Sequence, residues 1–175
     1  IIGGSQGAKF FDEFISKIIV RLSKTYKIQV LQQVINLNSK ENVKEFYQKN
    51  HIEHELFNFD DKLLIKAANY DLAITRSGAS TISELSYLNI PFVAIPFPYA
   101  KDDHQYYNAK FYEKKKSCWL IMQKDIDEES FKDLMIKIFI DENEYFSKKN
   151  NLIQLNKENT WEKNKSKLIE LLNEN

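Results

Sequence analysis

The stretch that decides the fold is Asp71-Leu72-Ala73-Ile74-Thr75-Arg76-Ser77-Gly78-Ala79-Ser80-Thr81-Ile82-Ser83-Glu84. Leu72-Ala73-Ile74 is a short apolar run of the kind that fills a buried parallel strand. Arg76-Ser77-Gly78-Ala79 is small at its centre, so the backbone can turn sharply and let another molecule approach. A helix is predicted from Ser80, with Thr81-Ile82-Ser83-Glu84 in the pattern of a capping box. Strand, glycine turn and fresh helix N-terminus together make an anion site, because unpaired N–H groups and the positive dipole end point outward. A phosphorylated ligand is expected there.

The glycines point the same way. The chain holds only 4 in 175 residues, at Gly3, Gly4, Gly7 and Gly78, and each falls in a predicted strand-to-helix turn. All 3 prolines, Pro91, Pro96 and Pro98, fall around the next strand and its exit loop. Such sparing use, against a usual glycine frequency of about 7%, places glycine where the backbone requires it.

A length of 175 residues suits one domain with a sizeable core. Lys+Arg 25 balances Asp+Glu 25, so no global field argues for nucleic acid or an anionic membrane. A 43% hydrophobic content excludes disorder as the default. The single cysteine, Cys118, offers neither an internal disulfide nor a metal cluster. No transmembrane run or signal peptide is visible, and a soluble, cytosolic chain is expected. The chain opens at Ile1-Ile2 directly before Gly3-Gly4-Ser5-Gln6-Gly7-Ala8, so a fragment cut inside or just before its first strand is expected.

In chain order, a helix is predicted over Lys9 to Thr25 with Phe10, Phe14, Ile18 and Leu22 as its buried stripe. A strand follows over Ile28 to Val34, a loop over Asn36 to Lys40, and a short helix over Glu41 to Asn50 with Val43, Phe46 and Tyr47 inward. A strand over Glu55 to Phe59 leads to a helix over Lys62 to Asn69 that faces Leu63, Leu64 and Ala67 inward. After the central helix, Asn89 is placed to end it. Pro91 to Pro96 is the next strand, and Asp102 or Asp103 caps a helix running to about Lys115. Cys118 to Met122 is the last strand, and helices near Glu128 to Ile140, Asn143 to Leu155 and Trp161 to Leu172 close the chain. Alternating strands and helices with short connections imply an α/β, Rossmann-like parallel sheet with helices on both faces.

Ser5 and its neighbouring N–H groups could bind a phosphate, or could form a plain strand-to-helix turn. Glu84 could complete its capping box, or could accept hydrogen bonds from a ribose diol. His104 and Gln105 follow the loop at the C-terminal edge of a parallel strand, where ligands of such sheets bind; they could equally be an exposed first-turn pair. Gln105 carries both donor and acceptor, which suits sugar hydroxyls. Asp60-Asp61 and Asp102-Asp103 are explained more simply as caps than as metal ligands. His51 and His54 receive no role. Nothing matches a Ser/His/Asp triad, a zinc site or a Walker loop.

Four pieces lie in register: Gly3-Gly4-Ser5-Gln6-Gly7-Ala8, Arg76-Ser77-Gly78-Ala79 through Ser83-Glu84, Pro91 to Pro96, and His104-Gln105-x-x-Asn108-Ala109. Together they resemble the C-terminal, donor-binding half of the MurG family, the glycosyltransferases that convert lipid I to lipid II in peptidoglycan synthesis. The resemblance covers most of Ile1 to about Ile140. It implies the C-terminal domain of a two-domain GT-B enzyme, with UDP-N-acetylglucosamine bound between domains. It also implies that Ser5 contacts the diphosphate, that Ala79, Ser80, Thr81, Ile82, Ser83 and Glu84 line the pyrophosphate and ribose, and that Gln6, Arg76, Gly78 and Asn108 belong to the substrate-binding set. Glu84 would hold the ribose hydroxyls, and Gln105, with His104, the sugar. The uracil would rest near Phe59 and Asp60, where this sequence departs from the family's common Phe-Ile-Asp-Asp run. No cofactor or metal is implied. Lipid I would bind through an N-terminal domain absent here, which also carries the catalytic base. No catalytic residue is therefore expected in this chain, and no transfer by it alone. The whole protein is expected to be peripheral on the cytoplasmic face of the inner membrane. Three rivals share features of this reading. They are a naturally separate donor-binding subunit of a dolichol-pathway N-acetylglucosaminyltransferase, a UDP-N-acetylglucosamine 2-epimerase, and a non-catalytic nucleotide-binding module.

Overall fold

Ile1 and Ile2 lie between two groups of strands and join them. Ile1 N donates to Leu31 O and Ile1 O accepts from Gln33 N, while Ile2 N donates to Ile74 O and Ile2 O accepts from Arg76 N. The computed structural model describes residues 1–4, 9–159 and 165. Its strands are β1 (Gln29–Gln33), β2 (Glu53–Phe57), β3 (Ala73–Thr75), β4 (Phe92–Ala94) and β5 (Cys118–Leu120). β1 pairs with β2, β3 with β4 and β4 with β5, all parallel. With Ile1-Ile2 between β1 and β3, the sheet runs β2-β1-Ile1/Ile2-β3-β4-β5. Numbered from Ile1-Ile2 as first strand, that is the doubly wound order 3-2-1-4-5-6.

The helices are α1 (Ser16–Ser23), α2 (Leu37–Lys49), α3 (Leu63–Ala67), α4 (Ala79–Tyr87), α5 (His104–Lys114), α6 (Glu128–Ile140) and α7 (Glu142–Glu158). Strand side chains alternate between two buried faces, as expected where helices cover both sides. Ile74, Val93 and Trp119 face one core with Ile18, Tyr47, Phe131 and Met135 of α1, α2 and α6. Ala73, Phe92, Ala94 and Cys118 face the other with Ala67, Ile82, Leu85, Ala109 and Leu152 of α3, α4, α5 and α7. Trp119 Nε1 donates to Glu144 Oε1, and Lys148 stacks on the Trp119 ring, so the edge strand and α7 are locked together.

Several local expectations need correction. A π-helical turn, Phe11–Ile15, follows the helical residues Lys9 and Phe10 and precedes α1. That wider turn shifts the buried face, so Phe11 and Ile15 are fully buried while Phe10 and Phe14 only pack against the core. Helix α2 starts at Leu37 inside the expected loop, because Asn36 is its N-cap and accepts from Ser39 N. Helix α3 is shorter than expected and leaves Leu64 39% exposed. Strand β2 begins and ends two residues earlier than expected, placing Phe59 outside it. Helix α6 has the expected bounds, and Asn89 adopts the left-handed conformation (φ 56) that ends α4. The helix expected over Trp161 to Leu172 lies outside the described residues, apart from the single position Lys165.

Candidate functional site

The strand order reverses between Ile1-Ile2 and β3, and ligands of open parallel sheets bind at the C-terminal ends of such a pair. Two turns leave the sheet there, Gly3-Gly4 and Arg76-Ser77-Gly78. Gly4 has φ +66, a conformation that disfavours any side chain. Gly78 does not: it is the N-cap of α4, with φ −60 and ψ 138, open to any residue. A Cβ built on it would meet only Thr81 Oγ1, at 4.0 Å. Neither dihedral nor crowding explains glycine at this position, so the expected conformational reason for it is corrected. What a side chain would occupy is the space outside the chain.

The capping box is also corrected. Helix α4 begins at Ala79, so Thr81 is already helical, and no side chain caps the helix. The entry falls at Gly78 because the residue before it is pinned: Ser77 N donates to Gln105 Oε1 and Ser77 O accepts from Asn108 Nδ2. The first helical hydrogen bond is Ile82 N to Gly78 O, leaving the N–H groups of Ala79, Ser80 and Thr81 with no side-chain cap. Ala79, Ser80 and Ser83 are exposed and Thr81 is half-buried, whereas the Ile82 side chain is buried in the core. Glu84, one turn further on, is half-buried, and its carboxylate meets no hydrogen-bonding or ionic partner among the described residues.

Arg76 turns inward, only 5% exposed. Its guanidinium donates to Ile95 O, Pro96 O and Gln123 Oε1, and lies against the rings of Phe10, Phe11 and Phe97. Burial lowers its pKa to about 10, still charged at neutral pH. As placed, Arg76 ties the exits of β3, β4 and β5 together. Gln105 Oε1 accepts from both Ser77 N and Phe97 N, which uses its acceptor and leaves the Nε2 hydrogens as its offer to a ligand. His104 is exposed, and its Nδ1 lies 2.7 Å from Lys101 O. Asp102 and Asp103 are left-handed (φ 52 and 50), and Asp103, at the N-cap position, makes no cap hydrogen bond. The expected aspartate cap on α5 is therefore corrected. Ser77 Oγ is fully buried, with no hydrogen-bond partner among the described residues.

On the other side of the switch point, Ser5 and Gln6 lie outside the described residues. Phe59 is 85% exposed. Asp60 accepts from Lys62 N and pairs with Lys66, whose hydrogen bond holds its carboxyl below the usual range. Gln33, at the end of β1, accepts from Gly4 N and donates to Asn58 O, while Asn58 Nδ2 donates to Val34 O and Ile35 O. Beneath the glycine turn, Gln32 bonds Asp12, Ser16 and the Tyr47 hydroxyl in a buried network. Gln33, Asn58 and Gln123 are the residues that motif reading misses. Among the described residues, no three His, Cys, Asp or Glu side chains gather as metal ligands.

The arrangement offers an anion a row of backbone N–H groups at a positive helix terminus, and offers hydroxyls the Glu84 carboxylate and the Gln105 amide. The profile of the glycosyltransferase family 28 C-terminal domain matches residues 1–167. A protein of Pelagibacter ubique named UDP-N-acetylglucosamine–N-acetylmuramyl-(pentapeptide) pyrophosphoryl-undecaprenol N-acetylglucosamine transferase is 45% identical over 175 residues, covering 100% of this chain and 49% of that protein. One of the same name from Rickettsia massiliae is 37% identical over 161 residues, covering 90% of this chain and 43% of that protein. The chain thus spans about half the length of the curated relatives it matches. The crystal structure of Acinetobacter baumannii MurG superposes with a TM-score of 0.72 at 24% identity, over 87% of this chain and 43% of that one, and shares its fold. This chain belongs to glycosyltransferase family 28, to its C-terminal domain.

Proposed function

We propose that the chain is the donor-binding domain of an N-acetylglucosaminyltransferase that converts lipid I to lipid II. UDP-N-acetylglucosamine is the donor, and the acceptor site and catalytic base lie on an N-terminal domain outside residues 1–175. The observation that carries this reading is the uncapped N-terminus of α4 facing the open side of Gly78. There the N–H groups of Ala79, Ser80 and Thr81 take the diphosphate, and the helix dipole stabilises the charge that builds on the departing UDP. Glu84 takes the ribose hydroxyls, Gln105 Nε2 with His104 the sugar, and the Asn58 to Asp60 turn the uracil. Ser5 and Gln6, in the glycine motif, are further contacts for the donor. Arg76 and Asn108 hold the β3 exit in place rather than touching the donor. The lipid-linked acceptor puts the whole protein at the cytoplasmic face of the inner membrane. Among the described residues, no helix is long and apolar enough to cross a membrane.

Calorimetry tests the reading with UDP-N-acetylglucosamine, UDP and GDP. Binding of both uridine ligands with GDP at least tenfold weaker is expected. Equal affinity for GDP leaves a general nucleotide-binding module, and no binding at millimolar ligand removes the donor role.

A further inference from the structure

We infer that Gln33 is a positioning residue that couples the diphosphate end of the donor site to its base end; this rests on the donor-binding reading above. Gln33 closes β1, beside the switch point, and its side chain spans two turns far apart in sequence. Its Oε1 accepts from Gly4 N at 2.9 Å, fixing the Gly3-Gly4 turn at its left-handed residue. Its Nε2 donates to Asn58 O at 3.2 Å, fixing the turn that carries Phe59 and Asp60. Its backbone N–H is already committed to Ile1 O. One side chain therefore sets the spacing between the Gly3-Gly4 turn and the turn that meets the base. Asn58 reinforces the arrangement by donating back to Val34 O and Ile35 O, just beyond Gln33. An amide suits this position, because its oxygen offers an acceptor to one turn while its nitrogen offers a donor to the other.

The two halves of that amide can be removed separately. Gln33→Glu keeps an acceptor for Gly4 N but sets a carboxylate against the Asn58 carbonyl. Gln33→Met keeps the length and removes both bonds. The full chain and both variants would be titrated calorimetrically with UDP, CDP and uridine, and melted without ligand. Gln33→Glu is expected to lower the preference for UDP over CDP about fivefold, as for one ordinary hydrogen bond. It should leave the gain of UDP over uridine within twofold of the parent. Gln33→Met is expected to lower both ratios. Variants that melt earlier while both ratios stay at the parent's values show a purely structural glutamine and overturn the inference alone. A parent chain that does not separate UDP from CDP overturns the donor-binding reading, and the inference with it.

Discussion

Gly4 and Gly78 stand at the exits of neighbouring strands, yet glycine serves them differently. Gly4 is left-handed and would be strained by any side chain, with open space around its missing Cβ. Gly78 has dihedrals any residue adopts, and a methyl group there would touch only the Thr81 hydroxyl. The first turn needs glycine to fold. The second needs nothing from it until a ligand arrives. Their supports differ as well: among the described residues, one glutamine side chain holds Gly4, while the Gly78 turn rests on Arg76, Gln105 and Asn108 together. The difference separates what the chain requires for its own stability from what it holds in readiness.

The largest expected effect breaks the support of the second turn. Arg76→Met strips Ile95 O, Pro96 O and Gln123 of a buried partner. A loss of about 3 kcal/mol is expected, or about 6–12 °C in Tm, measured by calorimetric melting. A drop under 2 °C would mean that the cluster does not hold the strand exits. Next, Glu84→Gln should weaken UDP-N-acetylglucosamine binding roughly ten- to a hundredfold, the worth of a charge-assisted hydrogen bond of about 1.5–3 kcal/mol. Since Gly78, not Thr81, is the N-cap, its Tm should stay within a degree. Unchanged affinity in a titration removes the ribose role.

The two glycines give the direct test. Gly4→Ala should destabilise the chain by about 1–2 kcal/mol, the penalty of a left-handed residue with a Cβ. Gly78→Ala should change stability by less than about 1 kcal/mol, the gain through the unfolded state being offset by alanine's poor fit at an N-cap, while lowering donor affinity. Urea melts and titrations of the pair decide it, and equal stability losses would erase the contrast. The smallest effect lies under the first turn. Burial holds the Asp12 carboxyl above its ordinary 3.8, so its folded form favours the proton. Stability contributed at this site therefore falls as pH rises through that raised value, and the penalty is fully present at neutral pH. Asp12→Asn should gain on the parent in urea midpoint between pH 3 and pH 7. A constant difference across that range would remove Asp12 as the source.

Much of this was legible where signals are local. Helix α6 kept its expected bounds because Asp127 caps it and Phe131, Met135 and Ile138 recur on one face. The turn at Arg76 to Gly78 and the helix after it were visible as a strand, small residues and a fresh periodic run. The start of helix α2 is hidden in the sequence because Asn36 and Ser39 look like loop, and only their mutual bond shows a cap. The braces were invisible for another reason. Gln33 reaches Gly4 across 29 residues and Asn58 across 25, and Arg76 reaches Gln123 across 47. No periodicity announces such a pair; the fold must exist before the partners meet. Gln105 was legible as a polar residue at a sheet edge, but not that backbone already claims its acceptor.

The π-helical turn at Phe11–Ile15 makes the segment behind the glycine loop tolerant of a change in length. Such a turn holds one residue more than the α-helix needs to join the same two points. Deleting Glu13 would let it relax to ordinary α-helix, with Phe11 and Ile15 then three apart and still on one face. Lys9 and Phe10 upstream and Ile18 and Leu22 downstream would keep their places. The same deletion one turn later, at Lys17, would swing every upstream residue about a quarter-turn around the axis, lifting Phe11 and Ile15 from the core. Two deletions four positions apart should therefore have opposite fates, one folding nearly as the parent and the other unfolding the sheet's first helix.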